Sequence, residues 1–348
     1  MTRKIFKVVL GLALTLLLLV ALTILWLRAV EWQPEDIEIC YTNPTTESVL
    51  LPDTITVVSW NIGYAGLGSD MDFFYDGGTQ TRTSEKQTAE NLSAISDWLQ
   101  NSKADIIMLQ EVDFDSKRSY NIDQYDILSA NLKDYTSTYA WNYVSKFVPM
   151  PVTDPMGKVI SGLVTLSKFP IISAERYAYP SKFAFPMRLF NLKRCMLSIN
   201  IINQQGDTVI FNNTHNTAFD TGAMRAEEFE FLSKHIAHSP TSFTAGDWNS
   251  TPPGYTASKE ELENEFFSPI AVDPDMFSDD VKFAADTNPM HPSARYNYEP
   301  YKKGETTTTI LDFGIATDGI EVISTKTVDL NFKNSDHNPV VYKIRIAR

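Results

Sequence analysis

The chain has 348 residues, of which 43% are hydrophobic, and it carries 43 Asp and Glu against 30 Lys and Arg, a net charge of -13. Proteins that bind nucleic acid generally present a basic surface, because neutralising phosphates supplies most of their affinity. The acidic balance therefore argues against a general DNA-binding protein. Only two cysteines occur, Cys40 and Cys195, which excludes a disulfide-dense scaffold and a cysteine-rich zinc site. The sequence leaves open whether these two cysteines pair.

The N-terminal region contains an uncharged apolar segment, residues 8–27, preceded by Arg3, Lys4 and Lys7. Its length suffices to span a hydrocarbon core of about 30 Å. The positive charges before it predict a cytoplasmic N-terminus and place the rest of the chain outside the cytoplasm. A cleaved signal peptide shows the same charge order, but its apolar region is shorter, about 7–15 residues. We therefore expect a single-pass membrane protein with an uncleaved anchor over residues 1–28.

Residues 29–53 contain Pro34, Pro44 and Pro52 and show no sustained periodicity, which predicts a linker. The remaining residues, 54–348, suffice for one large domain. Apolar and β-branched runs predict strands at 54–60, 105–109, 136–144, 162–167, 195–202, 208–213, 242–245, 308–316 and 340–346. Amphipathic spacing predicts helices over 84–100 and 222–238, the first with a capping box formed by Ser84 and Gln87. Many strands with few helices favour sheets packed together with helices outside.

Two further segments bear on function. Residues 273–307 are rich in Pro, Asn, Asp and Tyr, which predicts a long loop region beside a binding site. Residues 182–190 are apolar and contain Lys182 and Arg188. This second segment is either a loop that contacts lipid or a strand and turn packed in the core.

Polar side chains follow several of the predicted strands. Asn61, Glu111 and Asp247 each lie at or just past the end of an apolar strand, and such ends meet at one edge of a sheet. Desolvating several carboxylates together is costly unless a cation pairs with them. The ligand atoms are oxygens, so Mg²⁺ or Mn²⁺ is favoured over Zn²⁺.

These polar residues belong to an ordered series of short strings along the chain. The strings are Ser59-Trp60-Asn61-Ile62, Leu109-Gln110-Glu111-Val112, residues 162–171, Asn213-Thr214-His215, Gly246-Asp247-Trp248-Asn249, Leu311-Asp312-Phe313 and Ser335-Asp336-His337-Asn338-Pro339-Val340. In this order they resemble the endonuclease/exonuclease/phosphatase superfamily, which includes DNase I-like nucleases, inositol polyphosphate 5-phosphatases and neutral sphingomyelinases. The resemblance implies an α+β fold, a four-layer α/β/β/α sandwich of two mixed sheets, here preceded by one transmembrane helix.

The resemblance also implies a metal site and the residues that act on water. Glu111 matches the carboxylate that binds a catalytic Mg²⁺ or Mn²⁺, with Asn61 and Asp336 completing or supporting that metal site. Asp247 matches the residue that orients and deprotonates the attacking water, and Asn249 matches an amide that holds the phosphate.

Two histidines complete the implied set. His337 matches the histidine that stabilises the phosphoryl group in the transition state, and Asp312 matches the carboxylate that orients it. His215 is a candidate acid for the leaving group. Phosphoester hydrolysis needs such a division of labour, namely a cation on the non-bridging oxygens, a base for water and an acid at the leaving oxygen.

We therefore expect a membrane-anchored, metal-dependent phosphohydrolase with an extracytoplasmic catalytic domain over residues 54–348. Its substrate would be a phosphoester, with a phosphodiester favoured and a phospholipid or a small molecule as the candidates, cleaved by direct water attack. The alternatives are an extracytoplasmic nuclease and a catalytically silent binding module on the same fold. The sequence does not specify the oligomeric state.

Overall fold

The computed structural model describes residues 2–44, 49–219 and 223–347. In chain order the strands are β1 (Ile37–Ile39), β2 (Thr42–Asn43), β3 (Thr54–Asn61), β4 (Ile106–Asp113), β5 (Thr136–Val148), β6 (Gly157–Ser167), β7 (Ile171–Ala178), β8 (Cys195–Ile202), β9 (Thr208–His215), β10 (Ser242–Asp247), β11 (Lys282–Ala284), β12 (Ala294–Arg295), β13 (Thr308–Thr309), β14 (Asp312–Ala316), β15 (Ile320–Thr327) and β16 (Val340–Ile346). The α-helices are α1 (Thr2–Ala29), α2 (Glu85–Ser102), α3 (Gln124–Asn131), α4 (Ala223–Ala237) and α5 (Lys259–Leu262).

The described residues form two seven-stranded sheets and a small β12-β13 ribbon. The first large sheet has the order β15-β16-β3-β4-β6-β5-β2, and the second has the order β1-β7-β8-β9-β10-β14-β11. Both are mixed, because β3 runs parallel to β4 and β9 runs parallel to β10 while the other pairs are antiparallel. The predicted fold class, with two mixed sheets and helices outside, is confirmed.

The main apolar core lies between the two sheets. It contains alternate residues of the strands of both, such as Val57 and Met108 from the first and Ile199 and Phe211 from the second. A second cluster packs α2 and α3 against the outer face of the first sheet, and a third packs α4 against the outer face of the second. The strands next to the core are apolar on both faces because a second layer covers each of them.

The predicted strands agree with observed ones, except that 308–316 is interrupted between β13 and β14. The two longest strands that were missed are β7 and β15, because they lie near sheet edges and alternate polar residues with apolar ones instead of forming an apolar run. The short strands β1, β2, β11 and β12 were also not predicted. Ser84 caps α2 by accepting the backbone N–H of Gln87. The other half of the predicted capping box is absent, since the Gln87 side chain donates to Asn91. The predicted start of the helix at Gly222 falls outside the described residues.

The N-terminal helix α1 is the one helix in the described ranges that is long and apolar enough to cross a membrane. Within residues 29–53, which the sequence predicts as a linker, β1 pairs with β7 and β2 pairs with β5. The chain after α1 is therefore hydrogen-bonded to both sheets. Cys40 packs against the apolar cluster that contains Cys195, and both are free thiols.

Candidate functional site

The polar residues meet where the carboxyl ends of β3, β9 and β10 lie together. Asn61, His215 and Asp247 are the last residues of these strands, and Asp247 is in register with His215 on the parallel neighbour. The Asp247 backbone also pairs with Asp312, the first residue of the antiparallel β14. Strand polarity thus brings residues that are distant in the sequence to one end of the sandwich.

Two local backbone features shape this end of the sheets. The pairing of β4 with β6 is irregular between Leu109 and Val112, and Glu111 in that gap has a left-handed φ of 54°. Such a bulge changes the direction of one side chain and is often found beside active sites. At Gly246 a Cβ would lie 1.9 Å from the carbonyl oxygen of Thr214, so only glycine allows β9 and β10 to approach this closely.

The carboxylate of Asp247 is the centre of the hydrogen-bond network. Its Oδ2 accepts from Nδ2 of Asn61 at 3.0 Å and lies 3.3 Å from Nε2 of His215. Its Oδ1 accepts the backbone N–H of Asn249 at 2.9 Å, a contact that the left-handed φ of 48° at Asn249 allows. A buried carboxylate held from both oxygens keeps one orientation toward the cavity.

His337 and Asp312 form a second buried pair beside Asp247. Nδ1 of His337 lies 2.8 Å from Oδ2 of Asp312, and its Nε2 lies 3.8 Å from Oδ2 of Asp247. Burial alone would lower the pKa of His337, but Asp312 and Asp247 outweigh it and hold that pKa well above its ordinary value. Trp60 fixes the backbone of the loop before β16 by donating Nε1–H to the carbonyl oxygen of His337 at 2.8 Å.

His215 has the opposite electrostatic character. Burial, followed by the positive charge of Arg194, lowers the pKa of His215 well below its ordinary value. Its ring is therefore neutral at neutral pH, with Nε2 directed at Asp247 and Nδ1 buried without a hydrogen-bond partner among the described residues. Two histidines at one site thus carry different charges because their neighbours differ.

The predicted metal ligands lie on one side of this network. Nδ2 of Asn61 lies 3.4 Å from Oε1 of Glu111, and Asp336 accepts from Asn297 at 2.7 Å. Burial raises the pKa of Glu111, and the charge of Asp336 raises it further. Burial raises the pKa of the nearby Asp76 to about 7, again with contributions from Asp336 and Glu111.

This set fits a hard divalent cation, because Glu111, Asp336 and Asp76 bring three carboxylates into one largely buried region, and oxygen atoms are the ligands that such a cation prefers. Arg118 offsets part of this negative charge, with its Nη1 3.9 Å from Oε2 of Glu111. Asn61 faces Glu111 with its nitrogen and accepts the backbone N–H of Gly63 with its oxygen, so in this arrangement it supports the carboxylate. Asp247, Asp312 and His337 also place one potential ligand atom each within 4.8 Å of one another. In that second group Nδ1 of His337 is bonded to Asp312, and its Nε2 lies 3.8 Å from Oδ2 of Asp247, so the described residues offer two candidate groups for a cation.

A cavity of about 310 Å³ opens above these residues, and it contains functional groups that sequence reasoning missed. Arg194 is buried in its lining, and its side chain makes one hydrogen bond to the described residues, from Nη1 to the carbonyl oxygen of His215 at 3.4 Å. Nδ2 of Asn142, also in the lining, is buried and has no hydrogen-bond partner there. These donors suit an anionic ligand. Neither follows a recognisable motif, so only the fold reveals them.

Much of the remaining lining is aromatic. Five rings, here called the aromatic wall, contact one another in sequence: Phe73, Tyr75, Phe219, Phe267 and Tyr296. Tyr75 and Phe219 stack with their centroids 5.8 Å apart. The cavity therefore combines a polar floor with an apolar wall, as expected for a ligand that has a phosphate and a larger apolar part.

Solved structures with the same architecture are known. An endonuclease/exonuclease/phosphatase from Beutenbergia cavernae DSM 12333 is 18% identical with a TM-score of 0.61, over 85% of this chain and 72% of that one. TDP2 from D. rerio, complexed with single-strand DNA product, is 11% identical with a TM-score of 0.53, over 84% and 99% of the two chains. ANGEL2, a 2′,3′-cyclic phosphatase in complex with adenosine-2′,3′-vanadate, is 13% identical with a TM-score of 0.56, over 89% and 99%. At these identities the likeness establishes the fold alone.

No curated protein matches this sequence. Residues 58–259, more than half of the chain, match the sequence profile of the Endonuclease/Exonuclease/phosphatase family. That region begins in β3 and includes Asn61, Glu111, His215, Asp247 and Asn249. The chain belongs to the endonuclease/exonuclease/phosphatase family, whose members hydrolyse phosphoesters.

Proposed function

We propose that this protein is a metal-dependent phosphohydrolase that cleaves a phosphodiester by direct attack of water. The observation that carries the proposal is the buried carboxylate of Asp247, which lies between Asn61, His215 and His337 at the floor of the cavity. Because its hydrogen bonds fix the carboxylate, it can orient a water molecule and take its proton.

His337 would stabilise the charge on the phosphoryl group. Asp312 holds its Nδ1, which leaves Nε2 directed toward the centre of the site. The raised pKa keeps the ring protonated, so it presents a positive charge where negative charge develops. Asn249 lines the same cavity and is positioned to contact a phosphate oxygen.

Glu111 and Asp336 are the proposed ligands of the divalent cation, Mg²⁺ or Mn²⁺, with Asn61 in support. When bound, the cation would supply positive charge to the non-bridging phosphate oxygens. His215 was predicted from the resemblance to protonate the leaving group. Its lowered pKa instead favours a neutral ring whose Nε2, 3.3 Å from Oδ2 of Asp247, helps to position that carboxylate.

The anchor and the topology are part of the proposal. The apolar helix α1, with Arg3, Lys4 and Lys7 near its N-terminus, supports a single membrane span with a cytoplasmic N-terminus. Residues 54–348 would then form an extracytoplasmic catalytic domain, joined to the anchor over residues 1–28 by residues 29–53.

A nuclease is the second candidate, and the aromatic wall favours it because bases stack on such rings. Against it stands the net charge of -13, since phosphate backbones bind basic surfaces. A catalytically silent binding module would be expected to have lost part of the site. This chain has the carboxylates, amides and histidines that the hydrolase chemistry needs, among them Glu111, Asp247 and His337, and this argues for an enzyme.

The test is a substrate panel with the full-length protein in detergent micelles. Bis-p-nitrophenyl phosphate, p-nitrophenyl phosphate, sphingomyelin and plasmid DNA are assayed with Mg²⁺ or with EDTA, and with Asp247→Ala as the control. We expect metal-dependent cleavage of a diester that the substitution abolishes. Cleavage of DNA alone would establish the nuclease, and a folded protein inactive on the whole panel would contradict the proposal.

A further inference from the structure

The end of the anchor helix is fixed to a loop beside the active-site cavity. Glu31, two residues after α1, has its carboxylate 3% exposed among three cations: Arg28 at 2.8 Å, Arg188 at 3.3 Å and Lys193 at 3.2 Å. Leu27, near the end of α1, is also buried. The anchor therefore meets the domain at a defined place, and residues 182–193, here called the anchor loop, provide two of the three cations.

The same loop forms part of the cavity lining. Phe183, Met187 and Leu192 of the anchor loop line the main cavity together with the aromatic wall. A second cavity, of about 180 Å³, extends from Glu31 and shares Phe183, Leu192 and Arg194 with the main one. One layer of side chains thus separates the base of the anchor from the substrate space.

The anchor loop also carries apolar side chains outward. Phe185 and Met187 are 54% and 56% exposed, with Lys182 and Arg188 nearby in the sequence. The loop is irregular apart from a 3-10 turn at Met187–Leu189, so the alternative of a strand packed in the core is wrong. Exposed apolar side chains flanked by cations are typical of segments that lie in the interface of a bilayer.

The end of the apolar run of α1 determines how far the anchor loop lies from the hydrocarbon core of the membrane. The apolar run of α1 ends at Leu27, and Glu31 lies four residues on, about 6 Å or more along a helix-like path from the hydrocarbon edge. The ion pairs of Glu31 hold Arg188 and Lys193 at that same depth. A protein anchored by α1 therefore holds the anchor loop, which lines one side of the cavity, close to the membrane surface.

We propose that the site acts on an amphiphilic phosphodiester, a phospholipid, while its chains remain in the bilayer, with the anchor loop in contact with the membrane. This inference rests on the proposed hydrolase function and adds its substrate class. Water adds to phosphorus and the bond from phosphorus to one ester oxygen breaks. The products are an alcohol, which takes up a proton, and a phosphomonoester. The aromatic wall, together with Phe183, Met187 and Leu192 of the anchor loop, accommodates the part of the lipid next to the phosphate.

The experiment compares two substrates with the same leaving group, methyl p-nitrophenyl phosphate in water and hexadecyl p-nitrophenyl phosphate in phosphatidylcholine vesicles. The full-length protein is reconstituted in those vesicles with Mg²⁺, and release of p-nitrophenol is measured. The chemical step is the same for both, so the ratio of the two rates reports access from the bilayer. We expect the hexadecyl ester to be cleaved faster at equal bulk concentration.

Enrichment of the hexadecyl ester at the membrane surface could by itself raise that rate. Variants therefore distinguish this enrichment from contact between the anchor loop and the membrane. Phe185→Ser and Glu31→Gln alter the anchor loop and its ion pairs, and neither residue lines the main cavity. Their matched controls are Ile172→Ser, a 63% exposed position on β7, and Glu35→Gln, an exposed glutamate. We expect Phe185→Ser to slow cleavage of the hexadecyl ester about tenfold, because the variant loses the exposed phenyl ring that would enter the bilayer interface. Glu31→Gln should act in the same direction, and both should leave the methyl ester unchanged.

The outcomes separate this inference from the proposed function. Cleavage of the methyl ester with no faster cleavage of the hexadecyl ester would retain the hydrolase and overturn the lipid substrate. Equal effects of Phe185→Ser and Ile172→Ser on the ratio would also overturn it. Failure to cleave either ester, in a folded protein, would contradict both proposals, and an unchanged rate on the methyl ester shows that a variant is folded.

Discussion

Oδ2 of Asp312 lies 2.8 Å from Nδ1 of His337, and both groups are buried beside the carboxylate of Asp247. The contact joins the first residue of β14 to the loop before β16, two places that the strand order brings together at one end of the sandwich. It fixes which ring nitrogen of His337 faces the cavity.

Replacing Asp312 by asparagine should test that relationship. The amide can preserve the shape of the pair but removes the charge that keeps His337 protonated and oriented. We expect Asp312→Asn to lower kcat by about 10²–10⁴-fold, as for other oriented histidines. Turnover of bis-p-nitrophenyl phosphate and thermal unfolding are measured together, with exposed Asp318→Asn as the control. A change in kcat below twofold would show that Asp312 does not act through His337.

Replacing Glu111 should reveal metal binding through its effect on thermal stability, without an assay of activity. Because Glu111 and Asp336 repel each other in a buried space, a cation should stabilise the folded protein, by about 2.7 kcal/mol at a concentration 100 times its Kd. We expect Mg²⁺ to raise the Tm of the wild type and of an exposed control, Glu227→Gln, but not that of Glu111→Gln. A Tm that rises equally in all three would place the metal elsewhere.

Arg194 should contribute to binding of the anionic substrate. Few of its donors are used by the described residues, and it lines the cavity beside His215. We expect Arg194→Met to lower kcat/KM by about 10–100-fold, mainly through KM, since a hydrogen bond to a charged group contributes about 1.5–3 kcal/mol. Arg194→Lys should restore part of the loss, and Arg345→Met on the surface should change neither constant. A fall in kcat at unchanged KM would indicate a role in chemistry instead of binding.

Gly246 should be intolerant of any side chain. Its Cβ would lie 1.9 Å from the Thr214 carbonyl oxygen, between the two parallel strands that carry His215 and Asp247. Because backbone must move to relieve this overlap, we expect Gly246→Ala to lower the free energy of unfolding by about 4 kcal/mol or more. Gly206→Ala is the comparison, since nothing lies within 4 Å of its Cβ and only its φ of 89° opposes it. The free energy of unfolding is measured by chemical denaturation. An equal decrease in both variants would contradict the close approach of β9 and β10.

The sequence predicts the polar floor of the site better than its walls. Asn61, Glu111 and Asp247 were found because each lies at or just past the end of an apolar run, and that pattern is local, whereas His215 was found through the family resemblance. Arg194 and Asn142 were missed because their importance depends on which strands lie side by side. The same limit applies to the edge strand β15, whose alternating residues give no apolar run. The contact between Glu31 and the anchor loop is likewise long-range, so residues 29–53 resemble a simple linker in the sequence.

Hydrolysis of bis-p-nitrophenyl phosphate in ¹⁸O-enriched water tests whether water activated at Asp247 attacks phosphorus, using the full-length wild type and Asp247→Ala, with Mg²⁺ and with EDTA. We expect turnover only by the wild type with Mg²⁺, with one labelled oxygen in p-nitrophenyl phosphate and none in p-nitrophenol, because water attacks phosphorus. Label in the phenol, or equal turnover by the variant or in EDTA, would contradict it.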